Sequence, residues 1–321
     1  MTKKIKIGVL FGGKSAEHEV SLQSAKNVIS GLDKNKYEIK SIKINKDGKF
    51  NPNVTKGLDV VFPVMHGPFG EDGSMQGLLK LLNMPFVGPS VLGSAVGMDK
   101  DVTKRILRDA GIPVGKFITI RKVSEINFQK AKRELGLPLF IKPANMGSSV
   151  GVSKVRNENE FKKALVEAFK YDTKVIIEEN IAGREIECAL LGNDVSMASI
   201  PGEIIANQDF YSYDAKYIDT GSVAEIPAKI DKKTSKKIQE LAIKTFQVLN
   251  CEGLSRVDFF LKKNGEVLVN EINTIPGFTN ISMYPKLWEA SGIPVPKLLD
   301  RLVELAFERF EREKNLKTSV K

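Results

Sequence analysis

Residues 255–273 read SRVDFFLKKNGEVLVNEIN, and this stretch is the most informative about the fold. Two apolar runs, Ser255–Leu261 and Glu266–Ile272, flank the turn sequence Lys-Lys-Asn-Gly at residues 262–265. Asn-Gly between two apolar runs is a strong signal for a tight β-hairpin. The stretch therefore predicts two adjacent antiparallel strands within a sheet.

Polar residues interrupt both strands of this predicted hairpin. Residues two apart on a strand share a face, so Arg256 lies beside Asp258, and Glu271 beside Asn273. Pairing through the turn brings Asp258, Glu271 and Asn273 close together. Three oxygen donors, two of them anionic, suit a Mg²⁺ ion that bridges phosphate groups. The alternative is a set of polar residues on the solvated face of a hairpin, but the apolar neighbours favour the metal site.

A second feature is the segment 141–151, which reads IKPANMGSSVG. Lys142 stands at the end of an apolar strand, and the loop after it offers backbone N–H groups and two serine hydroxyls. Such a loop can wrap phosphate oxygens, and the lysine adds positive charge. Glycine–serine loops without a ligand are also common, so an ordinary surface loop remains the alternative.

Another segment matches a phosphate-binding pattern without fitting its structure. Residues 8–15, GVLFGGKS, satisfy the P-loop formula G-x-x-x-x-G-K-[ST]. In a P-loop the first glycine follows the strand, whereas Val9–Phe11 continue the strand here. Glu17 and Glu19 then place carboxylates where phosphate charge would lie. This segment is therefore not predicted to bind phosphate.

The first part of the chain alternates between strand and helix patterns. The predicted strands are Lys4–Phe11, Tyr37–Ile44 and Leu58–Met65, and the predicted helices are Val20–Leu32 and Asp72–Leu82. This order is typical of a Rossmann-like open sheet, which binds ligands beyond the carboxyl ends of its strands. The segment HGPFGEDGSMQG, residues 66–77, starts at such an end. A turn capped by Asp72 explains its glycines, but not their occurrence together with His66 and Glu71.

The rest of the chain divides into two further parts. A glycine- and serine-rich boundary near Ser90–Lys100 gives predicted domains at residues 1–97, 98–180 and 181–321. The order of elements predicts an α/β domain followed by α+β structure. The further predicted helices are Asp101–Ala110, 125–135, 158–169, Lys232–Leu249 and 296–311.

Composition limits the classes of protein that the chain can belong to. No apolar run approaches the roughly 18 residues of a membrane-spanning helix, and the apolar start is too short for a signal peptide, so a soluble cytoplasmic protein without a membrane partner is predicted. Two histidines exclude a zinc site with several histidine ligands. The net charge of +10 comes from scattered lysines, so no nucleic-acid partner is predicted. Cys188 and Cys251 are predicted to be buried, unpaired thiols.

The motifs, taken in order, resemble those of the D-alanine–D-alanine ligase family. The pattern H-G-x-x-G-E-D-G-x-x-Q-G is followed by M-D-K, K-P-x-x-x-G-S-S-V-G, Y-x-A-K-Y, S-R-V-D and N-E-I-N-T-x-P-G. These landmarks run from Gly12 to about Ser282, and the ordered set is specific although each motif alone is weak. The resemblance implies a Rossmann-like N-terminal domain followed by a two-part ATP-grasp fold. It also implies an enzyme that uses ATP to join two D-alanine molecules for peptidoglycan synthesis.

The resemblance assigns residues to the chemistry and to the amino-acid subsites. Glu17 is similar to the carboxylate that holds the ammonium of the first D-alanine, and Arg256 and the Gly277 backbone N–H resemble the oxyanion donors. The residues implied for catalysis are Glu17, His66, Ser148, Lys216, Tyr217, Arg256 and Gly277. Those implied for substrate binding are Glu17, His66, Arg256, Gly277, Ser282 and Met283.

The resemblance also implies a nucleotide site and a metal site. Lys100 and Lys142 are similar to lysines that contact ATP phosphates, and Glu178–Ile181 resembles an adenine-binding hinge. The residues implied for nucleotide binding are Lys100, Lys142, Ser148, Ser149, Glu178, Glu179, Ile181, Glu185 and Lys216. Two Mg²⁺ ions, for which Mn²⁺ can substitute, are implied at Asp258, Glu271 and Asn273. Met146 departs from members that have a polar residue there, which leaves its role open.

The implied reaction needs protection from water, and the segment Asn207–Gly221 is the candidate lid. The resemblance further implies a homodimer. One alternative is another ATP-grasp ligase that joins a different carboxylate to an amine, or joins D-alanine to D-lactate. Such an enzyme need not share residues 66–77 or Tyr217. A nucleotide-binding module without catalysis is the other alternative, but it should have lost a metal ligand or Arg256, and all are present.

Overall fold

The computed structural model describes residues 3–205, 223–317 and 319. Its helices are α1 (His18–Gly31), α2 (Ser74–Leu81), α3 (Val91–Met98), α4 (Lys100–Asp109), α5 (Phe128–Leu135), α6 (Glu158–Ala168), α7 (Lys232–Val248), α8 (Met283–Ala290) and α9 (Val295–Lys314). Its strands are β1 (Ile5–Gly12), β2 (Tyr37–Ile44), β3 (Val60–Pro63), β4 (Phe117–Ile120), β5 (Leu139–Pro143), β6 (Ser153–Val155), β7 (Val175–Glu179), β8 (Gly183–Gly192), β9 (Ser196–Ala198), β10 (Gly202–Ile205), β11 (Val223–Glu225), β12 (Gly253–Lys262) and β13 (Val267–Asn273). None of the helices described is both long and apolar enough to span a bilayer.

The N-terminal sheet is parallel, with the strand order β2-β1-β3. The central strand β1 is mostly buried because its apolar residues face helices on both sides. It ends at Gly12 and Gly13, both with positive φ, so the chain turns sharply before α1 begins. The predicted parallel sheet is confirmed, and the carboxyl ends of β1 and β3 deliver residues 14–17 and 64–71 to one edge of it.

The middle of the chain forms an antiparallel sheet with the strand order β4-β7-β5-β6. Helices α5 and α6 pack against it through an apolar core that includes Leu139, Ile141 and Phe161. The turn that follows β5 is the glycine- and serine-rich loop predicted from the sequence. Residues 144–151 therefore leave the sheet directly beside Lys142.

The third sheet has the strand order β11-β10-β8-β12-β13, with β9 paired to β8. β12 and β13 form the hairpin that the Asn-Gly turn predicts, with Arg256 opposite Asn273 and Asp258 opposite Glu271. A register shift follows Asp258, which is a β-bulge of the kind that re-aims side chains next to active sites. The predicted hairpin is thus confirmed, and the bulge sets the register that places Asp258 opposite Glu271.

The stretch 90–100, in which the sequence predicts a domain boundary, contains helix α3. Ser90 caps this helix by accepting a hydrogen bond from the Gly93 N–H. A Cβ at Gly93 would lie 2.4 Å from the Asn250 carbonyl oxygen, and one at Gly97 would lie 2.4 Å from Thr274 Cγ2. The glycines therefore allow α3 to pack directly against the C-terminal sheet. The three predicted domains contain one sheet each, and their exact limits stay a prediction.

One apolar core joins the two ends of the chain. It combines Ile7 and Val9 of β1 with Leu298 and Leu302 of α9 and with Trp288 of α8. Helix α8 is absent from the sequence-based prediction, whereas α9 was predicted and is slightly longer than expected. Cys188 and Cys251 are buried and unpaired, as predicted, and burial raises the pKa of both thiols to about 12.

Candidate active site

Two adjoining cavities lie where the three sheets meet. The larger, of about 550 Å³, is bordered by the N-terminal sheet edge, the hairpin and residues 275–286. The smaller, of about 320 Å³, lies between the middle sheet and the hairpin. Both are lined by Gly147 and Ser148 of the loop 144–151, by Glu185 of β8, and by Asn270 and Glu271 of the hairpin. These residues form the common wall of the two cavities.

The cavities bring together nearly all of the sequence-predicted site residues. Those lining the larger cavity are Glu17, His66, Ser148, Glu185, Arg256, Asp258, Glu271, Asn273, Gly277, Ser282 and Met283. Those lining the smaller cavity are Lys100, Lys142, Ser148, Ser149, Glu178, Glu179, Ile181, Glu185 and Glu271. Lys216, Tyr217 and the candidate lid at residues 207–221 lie outside the described residues, so their roles stay predictions.

Glu17 occupies the edge of the larger cavity nearest the common wall. Ser148 donates a hydrogen bond from its hydroxyl to Glu17 Oε1. A Cβ at Gly67 would lie 2.7 Å from Glu17 Oε2, and one at Gly147 would lie 2.8 Å from the same oxygen. The carboxylate is therefore enclosed between two glycines from different domains, and no larger residue fits beside it without displacing it.

His66 is fixed by hydrogen bonds at both ring nitrogens. Its Nδ1 lies 3.0 Å from the Ile275 carbonyl oxygen, which can only accept, so Nδ1 carries the proton. Nε2 lies 3.0 Å from Ser24 Oγ, and this hydroxyl accepts from the Phe278 N–H 3.1 Å away. Burial lowers the pKa of His66, which is consistent with a neutral ring that accepts at Nε2. These bonds make His66 a connection between α1, the end of β3 and residues 275–278.

Glu71 makes a second connection across the same gap, and the sequence alone did not give it a role. Its Oε2 accepts from the Gly67 N–H at 2.7 Å, and its Oε1 accepts from the Ile275 N–H at 3.2 Å. Burial, together with the nearby negative charge of Glu17, raises the pKa of Glu71 to about 8. The carboxyl group thus ties the loop after β3 to the loop after β13.

The hairpin presents a cationic group and two carboxylates to the larger cavity. Arg256 donates from Nε and Nη2 to the two oxygens of Asp258, each at 2.7 Å, and its Nε lies 2.9 Å from Glu187 Oε2. Burial would lower the pKa of Arg256, but Asp258 and Glu187 outweigh it and raise the pKa. Glu187, on β8, is a site residue that the sequence did not reveal, because only the pairing of β8 with β12 brings it near Arg256.

The oxygen donors of the hairpin fit a divalent cation. Asp258 and Glu271 stand opposite each other, Asn273 Nδ2 donates to Asp258 Oδ2 at 2.9 Å, and all three residues line the larger cavity. Among the residues that the structure describes, no cluster of three or more His, Cys, Asp or Glu side chains could hold a metal ion. Two carboxylates and one amide suit an ion that also takes oxygens from phosphate and water, as Mg²⁺ does.

Lysines and glutamates alternate around the smaller cavity, and two of the lysines are held by close contacts. Lys100 Nζ donates to the Met146 carbonyl oxygen at 2.8 Å and lies 3.5 Å from Glu271 Oε2. Lys142 Nζ lies 2.5 Å from Glu178 Oε2. Met146 therefore contributes its backbone carbonyl to the placement of Lys100, whatever its side chain does.

The loop 144–151, which follows Lys142, has a strained backbone. Ser148 and Ser149 are consecutive residues in the left-handed region, with φ of 49° and 60°. Non-glycine residues rarely adopt this conformation, and it costs on the order of 1 kcal/mol for each. Such strain persists only where the surroundings hold it, and here Glu17 holds the Ser148 hydroxyl.

Hydrogen bonds also position Glu179, at the end of β7, and Ser282, which lines the larger cavity. Glu179 Oε1 accepts from the Lys116 N–H at 2.7 Å, so its carboxylate secures β7 to the start of β4. Ser282 Oγ lies 2.8 Å from Thr279 Oγ1 and accepts from the Thr279 N–H at 3.0 Å. Thr279 is another residue that the sequence analysis did not single out, because its side chain meets Ser282 only once the turn is folded.

Two family models cover most of the chain. The model described as "D-ala D-ala ligase N-terminus" matches residues 6–57 and 50–89, and the one described as "D-ala D-ala ligase C-terminus" matches residues 106–304. The chain is 50% identical over 361 residues to a D-alanine–D-alanine ligase of Oceanobacillus iheyensis, covering 98% of this chain and 99% of that one.

Solved structures of related proteins superimpose on this chain. The D-alanine–D-alanine ligase of Coxiella burnetii gives a TM-score of 0.88 at 42% identity, covering 98% of this chain and 97% of that one. The Bacillus anthracis enzyme complexed with ATP gives a TM-score of 0.82 at 32% identity, covering 96% and 99%. The similarity therefore extends over nearly the full length of the chain.

Proposed function

Because the chain belongs to the D-alanine–D-alanine ligase family, we propose that it joins two D-alanine molecules into D-alanyl-D-alanine with conversion of ATP to ADP and phosphate. Its fold is the ATP-grasp fold of that family, preceded by a Rossmann-like domain. The observation that supports this function best is the position of Glu17. A carboxylate suited to a substrate ammonium lies at the wall that separates the larger cavity from the lysines of the smaller one.

The first step activates a carboxylate. The carboxylate oxygen of the first D-alanine attacks the γ-phosphorus of ATP, the bond to the β–γ bridging oxygen breaks, and ADP leaves. Glu17 holds the ammonium of this D-alanine, so its carboxylate points to the common wall. Lys100 and Lys142 stand beside the loop 144–151, where they offset phosphate charge, and Ser149 adds a donor.

Asp258, Glu271 and Asn273 are the residues that would hold Mg²⁺, and we propose two ions there. When bound, the ions neutralise phosphate charge and stabilise the transferring phosphoryl group. The chain's own contribution is to hold these side chains together before metal arrives. Arg256 and Asn273 both bond to Asp258, and Lys100 lies near Glu271, so the ligands stay compensated without the metal.

The second step forms the amide. The amine of the second D-alanine attacks the acyl carbon of D-alanyl phosphate, and the C–O bond to phosphate breaks after a tetrahedral intermediate. Arg256, fixed by Glu187 and Asp258, lies on the wall where the oxyanion develops, with the Gly277 N–H as the second donor. Loss of one such donor typically costs about 3–4 kcal/mol of transition-state stabilisation. Ser282, supported by Thr279, is placed to receive the carboxylate of the second D-alanine.

His66 acts in this scheme by positioning rather than by proton transfer. Both of its ring nitrogens are engaged by Ser24 and the Ile275 carbonyl, so the ring holds the loop that carries Gly277. Lys216 and Tyr217 are proposed to close over the site, with Tyr217 completing the hydrogen bonds of Ser148 and Glu17. The homodimer and the cytoplasmic location stay predictions, which sedimentation and cell fractionation would test.

The experiment for this function measures phosphate release with ATP, Mg²⁺ and single amino acids. Release should depend on D-alanine and on Mg²⁺, and chromatography should show the dipeptide and ADP in equal amounts. Turnover with L-alanine but none with D-alanine would refute the assignment. Ester formation from D-lactate in place of dipeptide would point to the related ligase that joins D-alanine to D-lactate.

A further inference from the structure

Lys104 carries a buried charge that the mechanism above does not use. It lies on α4 one turn after Lys100, lines the smaller cavity, and exposes only 2% of its surface. Its Nζ is 3.1 Å from Glu178 Oε1, while Lys142 Nζ is 2.5 Å from Glu178 Oε2. One buried carboxylate therefore stands between two buried ammonium groups.

Lys104 and Glu178 form a buried ion pair. The ammonium lies within ion-pair distance of Oε1, yet this oxygen is buried without an aligned hydrogen-bond donor. The separation of 3.1 Å shows that the two buried charges compensate each other. Burial would raise the pKa of Glu178, but Lys104 and Lys142 outweigh it and lower the pKa.

The two lysines differ in what holds them. Lys104 projects from a helix, and burial lowers its pKa, with Glu178 opposing that effect only in part. Lys142 stands at the end of β5, beside the loop 144–151 that faces the phosphates. Lys142 can leave Glu178 to bind incoming phosphates only if the Glu178 carboxylate keeps another cation beside it.

We propose that Lys104 is a positioning residue of the nucleotide site: it is the permanent counter-ion of Glu178, which releases Lys142 to bind the phosphates of ATP. The inference rests on ATP as the nucleotide of the proposed function. Without Lys104, Glu178 retains Lys142, and the phosphates lose a cation. The adenine end of the nucleotide is affected less, because Glu178 keeps its charge.

The experiment compares ATP with adenosine, which lacks phosphates, in binding assays without D-alanine. ATP binding is measured by titration calorimetry with Mg²⁺, and adenosine binding by competition. In Lys104→Met, ATP affinity should fall roughly tenfold or more, since removing one partner of a buried charge pair is costly, while adenosine affinity should change less than about threefold. Lys130→Met, at an exposed lysine on α5, is the matched control and should leave both affinities unchanged.

A double variant separates this role from a purely structural one. Lys104→Met/Glu178→Gln removes both the counter-ion and the charge that would retain Lys142, so the ratio of ATP to adenosine affinity should return close to that of the unaltered protein. Equal losses for ATP and adenosine in Lys104→Met, or no recovery of the ratio in the double variant, would overturn the proposal. If Lys104→Met does not fold, Lys104→Gln serves in its place with the same expected ratios.

Failure of this inference is distinguishable from failure of the proposed function. The affinity ratio is measured without D-alanine and needs no turnover. A protein that shows the expected ratios but forms no dipeptide would keep the role of Lys104 and lose the assigned reaction. Dipeptide formation together with equal losses of affinity for ATP and adenosine in Lys104→Met would keep the assigned reaction and overturn the role of Lys104.

Discussion

The enclosure of Glu17 between two glycines predicts the effect of adding one methyl group. A Cβ at residue 147 would lie 2.8 Å from Glu17 Oε2 and 3.6 Å from its Cδ. Ordinary contact requires the oxygen to move by about 0.6 Å. Gly147 has no positive φ, so alanine is acceptable to the backbone and the perturbation is confined to this contact.

The displacement acts on the hydrogen bond from Ser148 and on the ammonium of the first D-alanine. Hydrogen bonds that involve a charged group contribute about 1.5–3 kcal/mol, so Gly147→Ala should raise the KM of the first D-alanine roughly 10- to 100-fold. ATP affinity should fall less than the affinity for D-alanine, because the lysines of the smaller cavity are not touched, although Gly147 belongs to the loop beside them. Initial rates of phosphate release over a range of D-alanine concentrations measure the first quantity, and calorimetry the second.

The matched control is Gly77→Ala in helix α2, where a Cβ would meet nothing within 4 Å. This variant should have normal kinetics and equal or slightly higher stability, since alanine favours the helix by about 0.5–1 kcal/mol. A KM for the first D-alanine in Gly147→Ala that stays within about threefold of normal would refute the reasoning, because an oxygen pushed aside by a methyl group cannot keep the same bonds.

Two further predictions concern carboxylates of the site. Glu271→Gln keeps the size of the side chain but removes its charge, so turnover should fall about 100-fold or more at ordinary Mg²⁺ while the circular dichroism spectrum is unchanged. The control is Glu266→Gln, at an exposed residue of the same hairpin. Near-normal turnover of Glu271→Gln would remove Glu271 from the metal site. Glu71 has a pKa raised from 4.5 to about 8, so between these values the folded protein binds a proton that the unfolded chain releases, and stability should decline as pH rises through this window. The urea midpoint of Glu71→Gln should lack this part of the decline, and parallel curves for both proteins would show that Glu71 is ionised throughout.

The sequence predicted the parts of the site that depend on local pattern. The Asn-Gly turn predicts the hairpin, and the hairpin brings Asp258 near Glu271, but the one-residue register shift that sets them directly opposite each other could not be read from the turn. The loop after Lys142 was likewise readable as a glycine- and serine-rich turn at the end of a strand, although its composition alone did not distinguish it from an ordinary surface loop. In both cases the side chains that meet lie on one continuous motif, so no long-range packing had to be known.

The residues that were missed meet partners far away in the chain. Glu187 reaches Arg256 only through the pairing of β8 with β12, and Glu71 reaches Ile275 across two domains. Lys104 had one local signal, its spacing of four residues from Lys100 on a helix. That spacing indicates a shared face, but the presence of Glu178 on the facing strand could not be read from it. Helix α3 was missed because its glycines and serines suggested a boundary between domains, whereas the glycines allow close packing against the C-terminal sheet.

The core shared by β1 and α9 means that a strand made early is completed by a helix made much later. Ile7 and Val9 pack with Leu298 and Leu302, and Arg309 of α9 donates to the carbonyl oxygens of Phe86 and Gly88. At about 5–20 residues per second, a ribosome needs roughly 15–60 s to make a chain of this length. During that time α1 can cover part of the apolar face of the N-terminal sheet, but the part that packs with α8 and α9 has no cover from its own chain. Newly made protein should therefore complete this core only after α9 has emerged.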